Sequence, residues 1–481
     1  MNNYNNNNKG KYNKLIHKKR KQQLIMLMII AGGYYAYRNT VISAISCYTV
    51  TKIKQYQLMQ LLISYHMLLD RNRAPSTRDH NSWWNRVVPN FSNSEFKEYF
   101  RMTRDSFNKL HEMLVKYYAP IDRYANCRIN SHQSLAIFLF RLADSGSFIK
   151  NKATLGIPIA TQHDHCRKWL HIINKHLNNI KFPSNWSEWR ALASKWELSR
   201  VNRNIELVNN HQQPISIPFP NACAALDGTY VYIRRPHFSI QQAYFSRKKR
   251  HAINVQAIVN YKGEFISIFT GTPGSRNDPS VLKESKVYKE SYKTIPHGFY
   301  IISDAGYTPL PWLMTNYKLN AGLHSLTRIM RKFNYVLSSN RIIVERAFGG
   351  VKGRWRKLKS MELMNLAEIN MYIIAAFKLH NFLLNENDNA EEEWIYEAQL
   401  DYELIAEEEQ NEQKEQKYND LDNNYSFNSN SNNLNYNDTE QAKLLGKQLR
   451  DEIAEQIMQI MDPAYIINDQ ERNAQAELVD S

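Results

Sequence analysis

Ala225-Leu226-Asp227-Gly228-Thr229-Tyr230, Ser303-Asp304-Ala305-Gly306-Tyr307 and Asn340-Arg341-Ile342-Ile343-Val344-Glu345-Arg346-Ala347-Phe348-Gly349 each carry one carboxylate in a different local setting. The first two follow short apolar runs of β type, and the third lies on a predicted helix dense in Arg and Lys. Outward from these stretches, Ala222 to Arg234, His251 to Tyr261, Glu264 to Thr270 and Phe299 to Ser303 are rich in Ile, Val, Phe and Tyr, with turn signals such as Tyr261-Lys262-Gly263 between them. They predict four strands. A helix is expected between the third and fourth, starting at Asp278-Pro279-Ser280, with Asp278 capping the free amides and Pro279 in the first turn. Another runs from about Ser338 to Ser360. Strands followed by an acid-bearing helix that packs on their sheet predict an α/β unit of three layers.

Upstream, Phe91 to Asn178 reads as helical. Phe96, Phe100, Met102, Phe107, Leu110, Met113 and Leu114 recur at three- and four-residue spacing, and Ser92 or Ser94 offers a cap. Ser131 to Leu142, the turn Ser145-Gly146-Ser147 and the helical stretch beyond Leu155-Gly156-Ile157-Pro158 have the order of a helix-turn-helix, an arrangement that contacts DNA in some proteins and builds ordinary bundles in others. Trp186, Trp189 and Trp196 are expected to be core or hinge anchors, being too tightly spaced for the tryptophans of a Myb-type DNA reader. The 481 residues then divide into an Asn-rich and basic disordered end (1–23), a helical domain with a helix-turn-helix-like arrangement (24–200), the α/β domain (221–384), an acidic and Asn-rich disordered linker (385–440) and a C-terminal helix and tail (441–481).

The net charge of +16 and a pI near 9.4 imply a polyanionic partner, either nucleic acid or an anionic membrane surface. Distribution favours the first. Asp227 to Ser360 holds 23 Lys and Arg against 7 Asp and Glu, so the whole excess lies in the segment with the three carboxylates. Arg247, Lys248, Lys249 and Arg250 fall between the first two strands, and Arg341, Lys352, Arg354, Arg356 and Lys357 lie on the Glu345 helix or its extension. All are candidate DNA phosphate contacts, whose binding would weaken steeply with salt. Asn385 to Glu412, by contrast, has 12 Asp and Glu and no Lys or Arg, the composition of a solvated linker.

Cys47, Cys127, Cys166 and Cys223 lack paired spacing, which argues against a disulfide framework and a zinc module and fits a reducing compartment. His163-Asp164-His165-Cys166 is read as a polar helix start, because adjacent positions point in different directions. Leu24 to Tyr37 is an apolar run behind Lys18-Lys19-Arg20-Lys21. Spanning a membrane takes about 20 apolar residues, and Arg38-Asn39 interrupt this run, so it is expected to pack as an N-terminal helix.

Three convergent carboxylates among cations suit metal-assisted phosphodiester cleavage, in which two divalent ions about 4 Å apart, held by hard oxygen ligands, activate water and stabilise the leaving oxygen. Asp227 would bridge both ions, with Asp304 a ligand of one and Glu345 of the other. Singly, each acid also has a structural reading: a turn at Asp227-Gly228, a turn cap at Asp304, a surface ion pair of Glu345 with Arg341 or Arg346.

Their joint order resembles the PIF/Harbinger transposase superfamily, whose domesticated members include the HARBI-type nucleases. The resemblance rests on Asp227-Gly228-Thr229, Gly274-Ser275-Arg276-Asn277-Asp278, Ser303-Asp304-Ala305-Gly306-Tyr307, Phe333-Asn334, and Arg341 through Val344-Glu345-Arg346-Ala347-Phe348-Gly349 to Lys352. Arg354-Trp355-Arg356-Lys357-Leu358 and Leu379-His380-Asn381-Phe382 extend it. It runs from about Phe91, where Phe100-Arg101-Met102 is similar to the family's helical lead-in, to Leu383. It implies an RNase H-like catalytic domain with Asp227, Asp304 and Glu345 as a DDE triad on magnesium or manganese. It also implies staggered cutting at terminal inverted repeats, attack of the freed 3′-hydroxyl on target DNA, and a Myb-like partner that aids DNA binding and import into the nucleus. Without that partner a cytoplasmic location is expected, and a homo-oligomer is compatible with the same chemistry. The chain departs from the family at Tyr230, where His is common; a tyrosine can still donate to a phosphate. The alternative is a domesticated, non-catalytic DNA-binding or partner-docking protein on the same scaffold.

Overall fold

The computed structural model describes residues 26, 83–119, 129–144, 146–209, 219–319, 325–362, 365–398 and 436–461. Contacts divide the chain into residues 1–79 and 80–481, and every described residue except Met26 lies in the second unit. The Asn-rich end, the rest of the Leu24 to Tyr37 run, Cys47 and Cys127 fall outside the described residues.

Within Phe91 to Asn178, read from the sequence as helical, five helices form: α1 (Asn93–Phe100), α2 (Arg104–Leu114), α3 (Ser131–Ala143), α4 (Phe148–Leu155) and α5 (Ile159–His176). The breaks have local causes. Ser92 caps α1 through a capping box with Glu95, Arg101 ends it at φ 59°, and Thr103 caps α2. Gly156, at φ 69°, ends α4. α3 is buried from Gln133 to Ala143, and α5 turns Cys166, Trp169 and Ile173 inward, with Trp169 Nε1 donating to Ser134 Oγ of α3 at 2.9 Å. α4 lies between α3 and α5, and α5 leaves Arg167, His171 and Lys175 exposed.

A sixth helix, α6 (Trp186–Asn209), follows. Its Trp189 and Ala193 bury in one cluster with Ala224, Leu226, Ile258, Ile301 and Leu313, so that residues 80–481 form a single unit. Trp189 Nε1 donates to the Thr294 carbonyl at 2.8 Å and Trp196 Nε1 to Asn340 Oδ1 at 3.3 Å. Both are fully buried anchors, whereas Trp186 is 54% exposed against the edge of Phe299.

The chain continues through β1 (Ala222–Tyr232), a short α7 (Gln241–Tyr244), β2 (Ala252–Val259), β3 (Phe265–Pro273), α8 (Asp278–Glu284), α9 (Lys286–Thr294), β4 (Tyr300–Ser303), β5 (Leu313–Thr315), α10 (Arg328–Arg354), α11 (Leu366–Asn385) and α12 (Glu440–Met461). The strands form one mixed sheet in the order β3-β2-β1-β4-β5. β1, β2 and β3 are antiparallel neighbours, while β4 pairs parallel to β1 and β5 parallel to β4. Four strands match the predicted runs, and β5 has no counterpart among them. α10 starts at Arg328 rather than Ser338, because Thr327 supplies its cap.

Helices cover both faces of the sheet. Ile266 of β3 joins the α6 cluster, while the adjacent Phe265 packs on Phe348 of α10 and Phe377 of α11, as alternation along a strand requires. Asn381 of α11 then fixes this strand: its Oδ1 accepts from the Phe265 amide and its Nδ2 donates to the Phe265 carbonyl, each at 2.8 Å. The result is a mixed α/β fold.

The expected disordered linker is ordered at both ends. Residues 392–398 are helical, and the buried Asp388 accepts from the Thr103 amide at 2.7 Å. At the far end Asn437, also buried, donates to the Tyr288 carbonyl and accepts from Trp312 Nε1. These polar partners, distant in sequence, hold stretches whose composition alone predicts solvation. Among the described residues no helix is long and apolar enough to cross a membrane.

Candidate active site

Strand register brings the first two acids together. β1 and β4 are parallel, with Ala225 beside Ile302; Asp227 and Asp304 each come two residues further along, Asp304 just past the end of β4. Neighbouring strands lie about 4.8 Å apart, which is within reach of a shared ion. Arg341 and Glu345, one turn apart on α10, face this pair. Arg341 Nη1 is 2.7 Å from Asp227 Oδ2, and Nη2 is 2.5 Å from Glu345 Oε1, so the guanidinium bridges the first and third acids.

Backbone amides hold the carboxylates in place. Asp227 Oδ1 accepts from Gly228 at 2.8 Å and Asp304 Oδ1 from Gly306 at 2.9 Å. A Cβ at Gly306 would stand 2.9 Å from Asp304 Oδ1, so glycine keeps the space around this carboxylate open. Burial pushes the Asp227 carboxyl up to about 7; Arg341 and the Gly228 amide oppose the rise, and Asp304 and Glu345 add to it. Burial also disfavours the Arg341 charge, but Asp227, Glu345 and Asp304 together outweigh it and raise that pKa. All three acids therefore act on one guanidinium.

Carboxylate oxygens from two strands and a helix are the donors that magnesium and manganese prefer, so these residues fit a divalent ion by chemistry and placement. As the side chains stand, no three Asp, Glu, His or Cys of the described residues are gathered around one point. Arg341 supplies the positive charge there.

Asp278 is not the expected helix cap. Asn277 caps α8, its side chain accepting from the Ser280 amide at 3.0 Å. Asp278 lies over Gly228, where a Cβ would be 2.8 Å from its Oδ1, and it accepts from Asn254 Nδ2 at 3.2 Å. Gly228 alternates with Asp227, which puts Asp278 on the opposite face of β1 in a structural role. His163 and His165 diverge: His165 shares a 2.6 Å hydrogen bond with Ser134, whereas His163 stacks on Phe148.

Three of the nine candidate phosphate contacts are corrected by burial. Lys352, Arg354 and Lys357 are 5%, 1% and 0% exposed. Lys352 Nζ donates to Thr229 Oγ1 at 2.7 Å and to the Tyr230 carbonyl at 2.6 Å, just beyond Asp227 on β1. Arg354 donates to the carbonyls of Arg101 and Asp388 at 2.8 and 2.6 Å. Lys357 lies 3.8 Å from Glu362, and burial pushes its pKa down to about 8. These cations hold the fold. Tyr230, 8% exposed, packs with Tyr232 and Ala252. Arg356 is half-buried in an ion pair with Glu397. Arg247, Lys249 and Arg250 are exposed in the excursion between β1 and β2, with Lys248 half-buried beside them.

Residues 226–381, which contain all three acids, match the family described as DDE superfamily endonuclease. The chain is 27% identical over 313 residues to the ALP1-like protein of Arabidopsis thaliana, covering 61% of this chain and 71% of that one. It is 21% identical over 343 residues to Antagonist of Like Heterochromatin Protein 1 of the same plant, covering 67% and 78%. The candidate nuclease HARBI1 of Homo sapiens is 24% identical over 168 residues, covering 34% and 46%. No solved structure matches. Fold, acids and matched segment together make residues 226–381 similar to the DDE superfamily. The relatives that match extend that likeness to HARBI-type proteins.

Proposed function

We propose that this chain is a divalent-metal-dependent DNA endonuclease of DDE type, with an RNase H-like core, that cuts DNA and rejoins it as a transposase. The observation that carries the reading is the Arg341 guanidinium paired with both Asp227 and Glu345, beside the strand that leads to Asp304. The strand order, three antiparallel strands continued by parallel ones, supports the RNase H-like assignment. Asp227, Asp304 and Glu345 would hold magnesium or manganese in place of the arginine. Such ions, when bound, supply polarisation of the attacking water and of the leaving oxygen.

The chain's own residues do the rest. A cation held there would favour the charged form of Asp227, whose carboxyl burial pushes up to about 7. Arg341, released from Asp227 and Glu345 by such an ion, would be able to pair with a substrate phosphate. Arg247, Lys248, Lys249, Arg250 and Arg356 position the DNA backbone without reading its sequence. A Myb-like partner and a nuclear location extend the same reading, since the basic excess suits DNA and phosphate contacts alone do not specify a site.

A non-catalytic DNA-binding or partner-docking protein is the second reading. The Asp227-Arg341-Glu345 ion pairs favour it, because they balance the charge of the acids without metal. Nicking of supercoiled plasmid in magnesium or manganese, with EDTA and Asp304→Asn as controls, separates the two. Metal-dependent nicking that disappears in Asp304→Asn is expected. Nicking that survives the substitution contradicts the triad, and salt-sensitive DNA binding without nicking selects the second reading.

A further inference from the structure

Between β1 and β2 the chain leaves the sheet. Arg234 to His251 contains six Arg and Lys and no Asp or Glu. Three large apolar side chains stand out from this cationic stretch: Phe238 is 75% exposed, and Ile240 and Phe245 are each 40% exposed. The His237 ring lies beside Phe238, with centroids 4.7 Å apart.

The excursion is held rather than loose. Its helix α7 is tied to the end of β3 by the Ser275 amide, which donates to the Ala243 carbonyl at 3.2 Å. Phe245 bridges to His251, and Ser246 Oγ donates to the Arg250 carbonyl at 2.7 Å across the turn. Arg247 Nη2 is 3.9 Å from Asp278 Oδ2, and Asp278 lies over Gly228, on the face of β1 opposite Asp227.

An exposed ring on an acid-free cationic surface is suited to unpaired nucleic acid. Every base has a π face that stacks on an aromatic side chain, while the flanking cations neutralise the phosphates. Paired bases are already stacked on each other and offer no such face. We propose that this excursion grips DNA, with Phe238 stacking on an unpaired base. The proposal rests on the reading of the chain as a DNA-cutting protein and names the form of DNA taken: duplex that carries unpaired bases.

The test is a binding measurement in EDTA, where cleavage plays no part, so a failure of the nuclease reading leaves its outcome readable. The full chain is titrated against a paired duplex and the same duplex carrying a few unpaired bases, at one salt concentration. The unmodified chain is expected to prefer the second DNA by about 10-fold, the scale of one base stacked on an aromatic ring. In Phe238→Ala that ratio falls to about 1, and in Phe238→Trp it persists, because a larger ring still stacks. Melting curves check that both variants fold. Equal affinity of the unmodified chain for the two DNAs, absence of DNA binding, or a preference that survives in Phe238→Ala overturns the proposal.

Discussion

Asp227 is the residue in which burial and chemistry compete. Its carboxyl, which titrates near 3.8 when unperturbed, is pushed up to about 7 by burial. Between those values the folded chain retains a proton that the unfolded chain has lost, so this residue makes stability fall as pH rises from about 4 to about 7, with no further change above. Urea unfolding across that window should show the unmodified chain losing stability relative to Asp227→Asn; parallel curves would contradict the assignment. The buried cations behave differently from the exposed ones. Arg354→Ala removes a guanidinium bonded to Arg101 and Asp388 and should cost about 3–5 kcal/mol by urea unfolding. Arg247→Ala, at a side chain 74% exposed, should leave the midpoint in place. The acids were legible in the sequence because each sits in a distinctive local motif. The buried cations were not, because a run of Arg and Lys does not disclose which members find partners such as Asp388 or Thr229, remote along the chain.

At the scale of elements, β1 to β4 were legible because their apolar runs are bounded by turns, and the capping box at Ser92 and Glu95 marks α1 in the sequence. β5 was not: three residues give no period, and its pairing with β4 alone makes it a strand. α12 was read as a helix and α6 only through its tryptophan anchors, and the docking of both depends on tertiary contacts. α12 packs Ala442 into the main cluster, and a Cβ at Gly446 would stand 2.5 Å from Leu310 Cα. Backbone cannot yield as a flexible side chain does. Gly446→Ala should therefore destabilise the chain by about 1–3 kcal/mol, measured by thermal or urea unfolding. Unchanged stability would mean that α12 is not seated against β5 and its flanking loop.

In the molecule as a whole, one unit from residue 80 onward carries both the helical region and the sheet, and the three acids come from β1, the end of β4 and α10. Arg341 holds these acids together by charge, and a divalent ion is expected to take its place. Titration with manganese, followed by the melting temperature of the full chain, tests this directly, because a ligand bound only by the folded state stabilises it in proportion to occupancy. Manganese should raise the melting temperature of the unmodified chain by several degrees and leave Asp227→Asn and Asp304→Asn nearly unmoved. No rise in the unmodified chain, or an equal rise in Asp304→Asn, would show that Asp227, Asp304 and Glu345 do not form a cation site.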